Sequence, residues 1–383
     1  NEFKLILVGR GGSGKTSLVH RLVHGEFREF KPTDGIAISQ WPVIVEGTEV
    51  RAHVWDFGGQ EIMHGTHRFF MTERALYIVL VTARENRQQH DAEYWLSLIR
   101  SFAGDVPVIV LLHKKGELPC EVDRKIIREK YGEEIEFLET DSKLAPTMED
   151  LCRKIQQMSA RLPDLRAAWP KAWHRVKKDL PEAQEDWLTF GKFGEFCAER
   201  GVPKHEDQEA LAISLHALGL MLAFRNDNDL RNHGVLKPQW ATTGIYKMLN
   251  APAIKGAGAK FTLVDFEKTL DTTNYPKAVH AFLLGLMEKF KLCFPLDDAH
   301  SRFMIPELLP ADEPDLEAKF PAANSLGFAY SYDSVLPQGL LPRFIVETFR
   351  YRDPAHAWKT GVVLEDENCH AWVRGDVEGR KIS

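Results

Sequence analysis

FKLILVGRGGSGKT, residues 3–16, decides how the N-terminal part of this chain folds. FKLILVG (3–9) is a mostly apolar run of strand length, interrupted only by Lys4, and Gly9 to Thr16 match G-x-x-x-x-G-K-[ST] directly after it. From Lys15 onward the apolar residues have helical spacing, so the order is strand, loop, helix. That context is what phosphate binding requires: glycines let the backbone N–H groups wrap the phosphates, and the helix presents its positive N-terminus to them. Gly9, Gly11, Gly12, Ser13, Gly14, Lys15, Thr16 and Ser17 form the candidate loop. Lys15 reaches the β and γ phosphates, and the Thr16 hydroxyl is a ligand for Mg²⁺. The pattern implies a nucleoside phosphate as ligand.

WDFGGQE (55–61) narrows the class. Asp56 ends a strand 40 residues after Thr16 and supplies a second oxygen for the metal. Gly59 lets a backbone N–H approach the γ-phosphate without crowding, and the Gln60 amide is placed to orient an attacking water. Between the two motifs, Thr33 in KPTDGI is a candidate second hydroxyl on Mg²⁺, one that orders its loop only while the γ-phosphate is present. A surface turn built on Pro32 and Gly35 is the lesser alternative for that stretch. His64 and His67 lie shortly after Gln60, but a metal site would need a third ligand that the sequence does not identify.

The chain has 383 residues, enough for two or three domains, with 44% hydrophobic, 27% charged and 10% aromatic residues and a net charge of −6. That balance argues against a dedicated nucleic-acid binder. Five cysteines (Cys120, Cys152, Cys197, Cys293, Cys369) without a C-x-x-C pair suit a reducing, cytoplasmic compartment better than a disulfide framework or a zinc site. No apolar run is long enough to span a bilayer. The chain starts at Asn1 on the edge of a strand, which reads as a piece of a longer protein.

Further runs, RAHVWDF (51–57), LYIVLVTA (76–83), VPVIVLLH (106–113) and EIEFLET (134–140), read as strands, with helices starting near Lys15, Gln60, Asp91, Glu121 and Met148. The alternation predicts an α/β fold: a mostly parallel sheet covered on both faces. LPDLRAAWP (162–170) is a domain boundary by its prolines. Beyond it, helical patterns, among them 206–222, a strand pair and LKPQWATTGIYKMLN predict a winged-helix-like unit, extended by AVHAFLLGLMEKFKLC. The 206–222 helix is acidic and apolar, which favours packing against protein over DNA binding. A second break falls at PADEPDLEAKFPAAN (310–324). After it GFAYSYDSVLP, RFIVETFR and GVVLEDENCHAWVRGD read as strands and turns of an α+β unit that stops mid-domain. No internal repeat is apparent.

With the P-loop, Thr33, DFGGQE and a lysine after the strand VPVIVLLH in order, the N-terminal region resembles a Ras-like P-loop G domain. More narrowly it resembles the Roc domain of the Roco family, in which a COR region comes after Roc. WDFGGQEIMHGTHRFFMT (55–72) is especially similar to prokaryotic members, and LKPQWATTGIYKMLN and SRFMIPELLP resemble COR sequences. The resemblance implies Roc over 1–162, winged-helix-like COR-A over 163–310 and the start of COR-B over 311–383. It also implies GTP and GDP as ligands with Mg²⁺, slow GTP hydrolysis in signalling or assembly, homodimerisation through COR and other domains on a larger chain. Lys15 and Gln60 are then catalytic. Arg84, in VTAREN, stands where family members have been proposed to reach across a dimer; a solvated arginine at a strand end is the plainer reading.

HKKG, His113 to Gly116, occupies the place of the Asn-Lys-X-Asp that reads guanine in such domains. The aspartate accepts hydrogen bonds from guanine N1–H and the 2-amino group, which adenine lacks. Gly116 has only its backbone to offer, and Glu117 lies one residue out of register. Lys114 still lies along the base, His113 replaces the asparagine, and Ser142 and Lys143 of ETDSK complete the base loop. The grip on guanine is altered and the grip on phosphates intact. A non-catalytic scaffold and an ATPase stay open as alternatives.

Overall fold

The computed structural model describes residues 1–31, 35–58, 70–83, 88–113, 120–163, 165, 168–183, 185–316, 320, 326–332, 336, 340–348, 351–366, 369–376 and 381–383. They fall into two units, Asn1–Thr243 and Gly244–Ser383.

Six strands of the first unit join in one sheet: β1 (Glu2–Val8), β2 (Ile36–Val45), β3 (Thr48–Phe57), β4 (Ala75–Thr82), β5 (Val108–His113) and β6 (Glu136–Thr140). Their spatial order is β2-β3-β1-β4-β5-β6, parallel throughout except for the β2–β3 pair. A parallel strand covered on both faces reads as a continuous apolar run, and β4 is buried at every position. Helices α1 (Lys15–His24), α2 (Gln88–Ala103), α3 (Arg124–Tyr131) and α4 (Ala145–Ser159) complete the layers. On one face Leu5 and Leu7 of β1 pack with Leu18 and Leu22 of α1 and with Leu151 and Ile155 of α4. Alternation along β1 sends Lys4 to the opposite face, beside Trp55 of β3.

β2 is not announced by an unbroken apolar run. Its run contains Pro42, which cannot donate to a ladder and is tolerated because β2 is the sheet edge. Glu46 and Gly47, both left-handed (φ 47° and 77°), make the two-residue turn into β3. Helix starts also shift. The third helix begins at Arg124, after Asp123 accepts the Ile126 N–H, rather than near Glu121. α2 begins at Gln88 and α4 at Ala145, each three residues before the expected point. The helix expected near Gln60 lies outside the described residues.

After the sheet come α5 (Lys171–Asp179), β7 (Trp187–Thr189), α6 (Phe190–Glu199), α7 (His205–Leu218), β8 (Leu222–Ala223) and β9 (His233–Val235). Helix–strand–helix–helix–strand–strand with sheet order β7-β9-β8 is a winged-helix arrangement. The helix expected over 206–222 stops at Leu218, because Gly219 takes the left-handed cap conformation (φ 76°) and residues 222–223 leave as β8.

α8 (Pro238–Leu249) carries the chain into the second unit. There α9 (Pro252–Gly256), β10 (Lys260–Thr262), α10 (Leu263–Thr269), α11 (His280–Lys289), β11 (Phe294–Pro295) and β12 (Arg302–Met304) come in turn, with sheet order β10-β12-β11. Apart from the short α9, this is the same element order and the same sheet order again. The winged-helix topology thus occurs twice, a repeat that the sequence does not display.

A five-stranded sheet closes the described chain, built from β13 (Tyr330–Ser331), β14 (Arg352–Trp358), β15 (Gly361–Asp366), β16 (Cys369–Asp376) and β17 (Lys381–Ile382) in the order β13-β17-β16-β15-β14. RFIVETFR was expected to be extended; instead Leu340–Glu347 is a helix, α12. Its buried Leu341, Ile345 and Val346 match helical spacing, which overrides the strand preference of Ile and Val. All five cysteines are free, with Cys120, Cys197 and Cys293 buried and Cys369 exposed.

Candidate functional site

The loop between β1 and α1 is shaped by positions that a side chain would spoil. Gly9 (φ 153°) passes so close to β4 that a Cβ would lie 2.6 Å from the Leu80 carbonyl. Gly12 (φ 71°) and Gly14 (φ 98°) take conformations that favour glycine, and Gly14 caps α1. Gly11 and Ser17 flank this core on the loop and on α1. Ser13 is buried, and its hydroxyl has no hydrogen-bond partner among the described residues.

Lys15 leaves the first turn of α1 and folds back over the loop. Its ammonium donates to the Gly9 carbonyl (2.7 Å) and the Arg10 carbonyl (2.9 Å). Burial lowers its pKa to about 8, and the Asp56 carboxylate opposes that fall. One residue on, the Thr16 hydroxyl donates to Asp56 Oδ2 at 2.6 Å. Two hard oxygens from separate elements are therefore joined beside a buried cation, a donor set suited to Mg²⁺. From Gly58, just past β3, the N–H donates to the Gly35 carbonyl (2.8 Å), tying the DFGG strand end to the residue after KPTD.

The residues expected to face the base lie at the ends of β5 and β6. His113 is buried at the last position of β5, its Nε2 standing 3.3 Å from where a Gly14 Cβ would be. The histidine therefore packs against the phosphate loop itself. Ser142 is buried, with no hydrogen-bond partner for its hydroxyl among the described residues. Asp141 holds the turn by accepting the Lys143 N–H (2.9 Å), and the Lys143 ammonium lies 5.3 Å over the Phe27 ring. The structure thus brings Gly9 to Ser17, Asp56, His113, Ser142 and Lys143 to one end of the sheet. Thr33, Gly59, Gln60, His64, His67, Arg84, Lys114, Gly116 and Glu117 lie outside the described residues.

Two contributors are invisible to motif reading. Phe27, beyond the α1 cap, forms an aromatic wall under Lys143. Arg10 pairs with Asp91 of α2 at 2.6 Å, fastening the phosphate loop to that helix. Arg10 falls on a variable position of the motif, and its partner is 81 residues away, so only the fold reveals the pair. Among the described residues no group of three or more His, Cys, Asp or Glu could hold a metal ion.

Comparison with known proteins decides the family. A solved chain titled "Structure of methanosarcina barkeri Roco2 RocCORdC bound to GDP" is 34% identical, superimposes with a TM-score of 0.74, and is matched over 81% of this chain and 96% of that one. This chain belongs to the Roc-COR family. Within the Roc-COR chain, residues 4–116 match the family described as "Ras of Complex, Roc, domain of DAPkinase". Residues 170–309 and 323–383 match "C-terminal of Roc, COR-A domain" and "C-terminal of Roc, COR-B domain". Similar curated proteins include the probable serine/threonine-protein kinase pats1 of Dictyostelium discoideum (24% identical over 96% of this chain and 13% of its own length). Another is a Roc-COR-CHAT protease of Runella zeae (25% identical over 96% of this chain and 41% of its own length). The Roc-COR segment therefore spans well under half of these relatives. No helix among the described residues is long and apolar enough to cross a membrane.

Proposed function

We propose that this chain is a guanine-nucleotide switch: a Roc domain (1–162) binds GTP or GDP with Mg²⁺ and hydrolyses GTP slowly, while COR-A (163–310) and COR-B (from 311) convey its state. The observation that carries the reading is the convergence of Lys15, Thr16 and Asp56, with the 2.6 Å Thr16–Asp56 hydrogen bond beside a buried ammonium. Lys15 exchanges its two carbonyl partners for phosphate oxygens, and the loop amides neutralise the remaining charge. Thr16, Asp56 and Thr33 hold the metal, and Gln60 orients the water. Mg²⁺ bound there supplies charge neutralisation for the transferred phosphoryl group. The relative titled as bound to GDP supports a guanine nucleotide as ligand.

Purified protein is expected to release phosphate from GTP at about 10⁻⁴ to 10⁻³ per second, the intrinsic Ras-type range. Gln60→Leu slows release and leaves GDP affinity nearly unchanged, whereas Lys15→Ala abolishes binding. Phosphate release indifferent to both substitutions sinks the assignment. Homodimerisation through COR, a cytoplasmic location and an across-dimer role for Arg84 belong to the same proposal. Light scattering of the GDP and GTP forms tests the dimer.

HKKG favours a second reading, a base-promiscuous or non-catalytic nucleotide-binding scaffold. Failure to bind any nucleoside triphosphate with Mg²⁺ would favour the scaffold, and equal affinity for GTP and ATP would favour the promiscuous site.

A further inference from the structure

The sheet face opposite α1 and α4 holds a cation for which the phosphate chemistry has no use. Lys4 of β1 has no exposed surface. Its ammonium donates to the Phe70 carbonyl at 2.5 Å, and it lies 4.3 Å over the Trp55 ring and 5.9 Å from the Phe70 ring. Trp55 is the residue before Asp56, and Phe70 is where the chain approaches β4. A single ammonium therefore joins the strand that delivers Asp56 to the residue at which the chain returns.

The C-terminus of α7 ends on the same spot. Gly219 fits so tightly that a Cβ would lie 2.3 Å from the Trp55 ring. The Thr72 hydroxyl donates to the Ala217 carbonyl (3.4 Å). The Tyr77 hydroxyl accepts the Thr72 N–H and donates to the Thr72 carbonyl, both at 2.9 Å.

We propose that Lys4 is a positioning residue: by holding Trp55 and Phe70 in the arrangement that seats Gly219 and Ala217, it couples the Asp56 end of β3 to helix α7 of COR-A. A change at Asp56–Gly58 is then felt at the end of α7, and a displacement of α7 is felt at Asp56. Space filling does not explain the residue. Methionine has similar length, and burying an ammonium that no carboxylate among the described residues opposes is unfavourable. Burial pulls Lys4 down to a pKa of about 7. His216 of α7 is held at about 4, by burial first and then by the Lys4 charge. Burial keeps the Tyr77 phenol neutral. The geometry does not depend on the switch reading, whereas its use by a nucleotide rests on that reading.

Amide hydrogen exchange of the full chain tests the coupling, with GDP and with a slowly hydrolysed GTP analogue bound. In wild type, changing the nucleotide alters exchange at both 70–77 and 216–223. Lys4→Met retains nucleotide affinity and thermal stability but diminishes the change at 216–223 about fivefold or more, leaving that at 70–77. Gly219→Ala pushes on Trp55 from the COR-A side and accelerates GDP release about threefold or more in the Lys4 background alone. If Lys4→Met leaves both exchange changes intact, or loses both together with its melting transition, the proposal is overturned. Should wild type bind no nucleotide, the switch reading falls by itself. Coupling is then read in ligand-free protein, as an effect of Gly219→Ala on exchange at 70–77 that requires Lys4; no such effect also overturns it.

Discussion

At position 116 glycine stands where, by the family resemblance, a carboxylate would read guanine, and in the proposed function that difference weakens the preference for guanine. Each lost charge-assisted hydrogen bond is worth about 1.5–3 kcal/mol. Gly116→Asp is therefore expected to raise the preference for GTP over ATP about tenfold or more. The same gain should appear with GDP, measured by competitive titration. Glu117→Ala is the control: if it abolishes a strong wild-type preference and Gly116→Asp has no effect, the register is off by one. Gly14→Ala strikes both halves of the site, since residue 14 is left-handed and its Cβ would meet His113. Nucleotide affinity should fall at least about tenfold. The convergence of the loop glycines, Lys15, Thr16 and Asp56 was legible in the sequence because two short motifs mark it. Phe27 and the Arg10–Asp91 pair were not, because nothing in either segment announces a partner from another part of the chain.

One pairing between elements links the Roc sheet to COR-A. Glu2 on β1 accepts from His53 of β3 (2.9 Å) and from Lys177 of α5 (2.7 Å). Burial by itself would raise the Glu2 carboxyl; the two partners outweigh it and hold the pKa at about 2, below the usual 4.5. A depressed carboxylate stabilises the fold fully above the unfolded value, and that contribution is lost as pH falls from 4.5 toward 2. Glu2→Gln should therefore reduce stability at pH 7 by about 1–3 kcal/mol, with the difference from wild type closing as pH falls toward 2. Denaturant melts across pH measure it, and a constant difference at every pH would refute the assignment. The parallel strands were readable from their apolar runs. Two other elements were not: β2 is interrupted by Pro42, and α12 has strand-favouring residues on a helical face. In both cases tertiary placement, at an edge and over a sheet, outweighed local preference.

For the whole molecule, the α7 contact predicts that the Roc domain is not self-sufficient. A fragment ending at residue 162 lacks the helix end that packs on Trp55. Losing that burial removes about 2–3 kcal/mol, so it should melt about 5–10 °C below a fragment that includes the first winged helix. Equal melting temperatures would show that α7 contributes nothing to the sheet. One winged helix was legible as helices with a strand pair, but its recurrence was not, because topology survives when side-chain patterns diverge. The α7 contact has a further consequence during synthesis. The face bearing Trp55 and Phe70 leaves the ribosome roughly 150 residues before Gly219 does. At typical elongation rates of about 5–20 residues per second, that face is uncovered for about 8–30 s. Nascent Roc is thus expected to need shielding in that interval, and a ribosome stalled between the Roc sheet and α7 would present an aromatic surface to its neighbours.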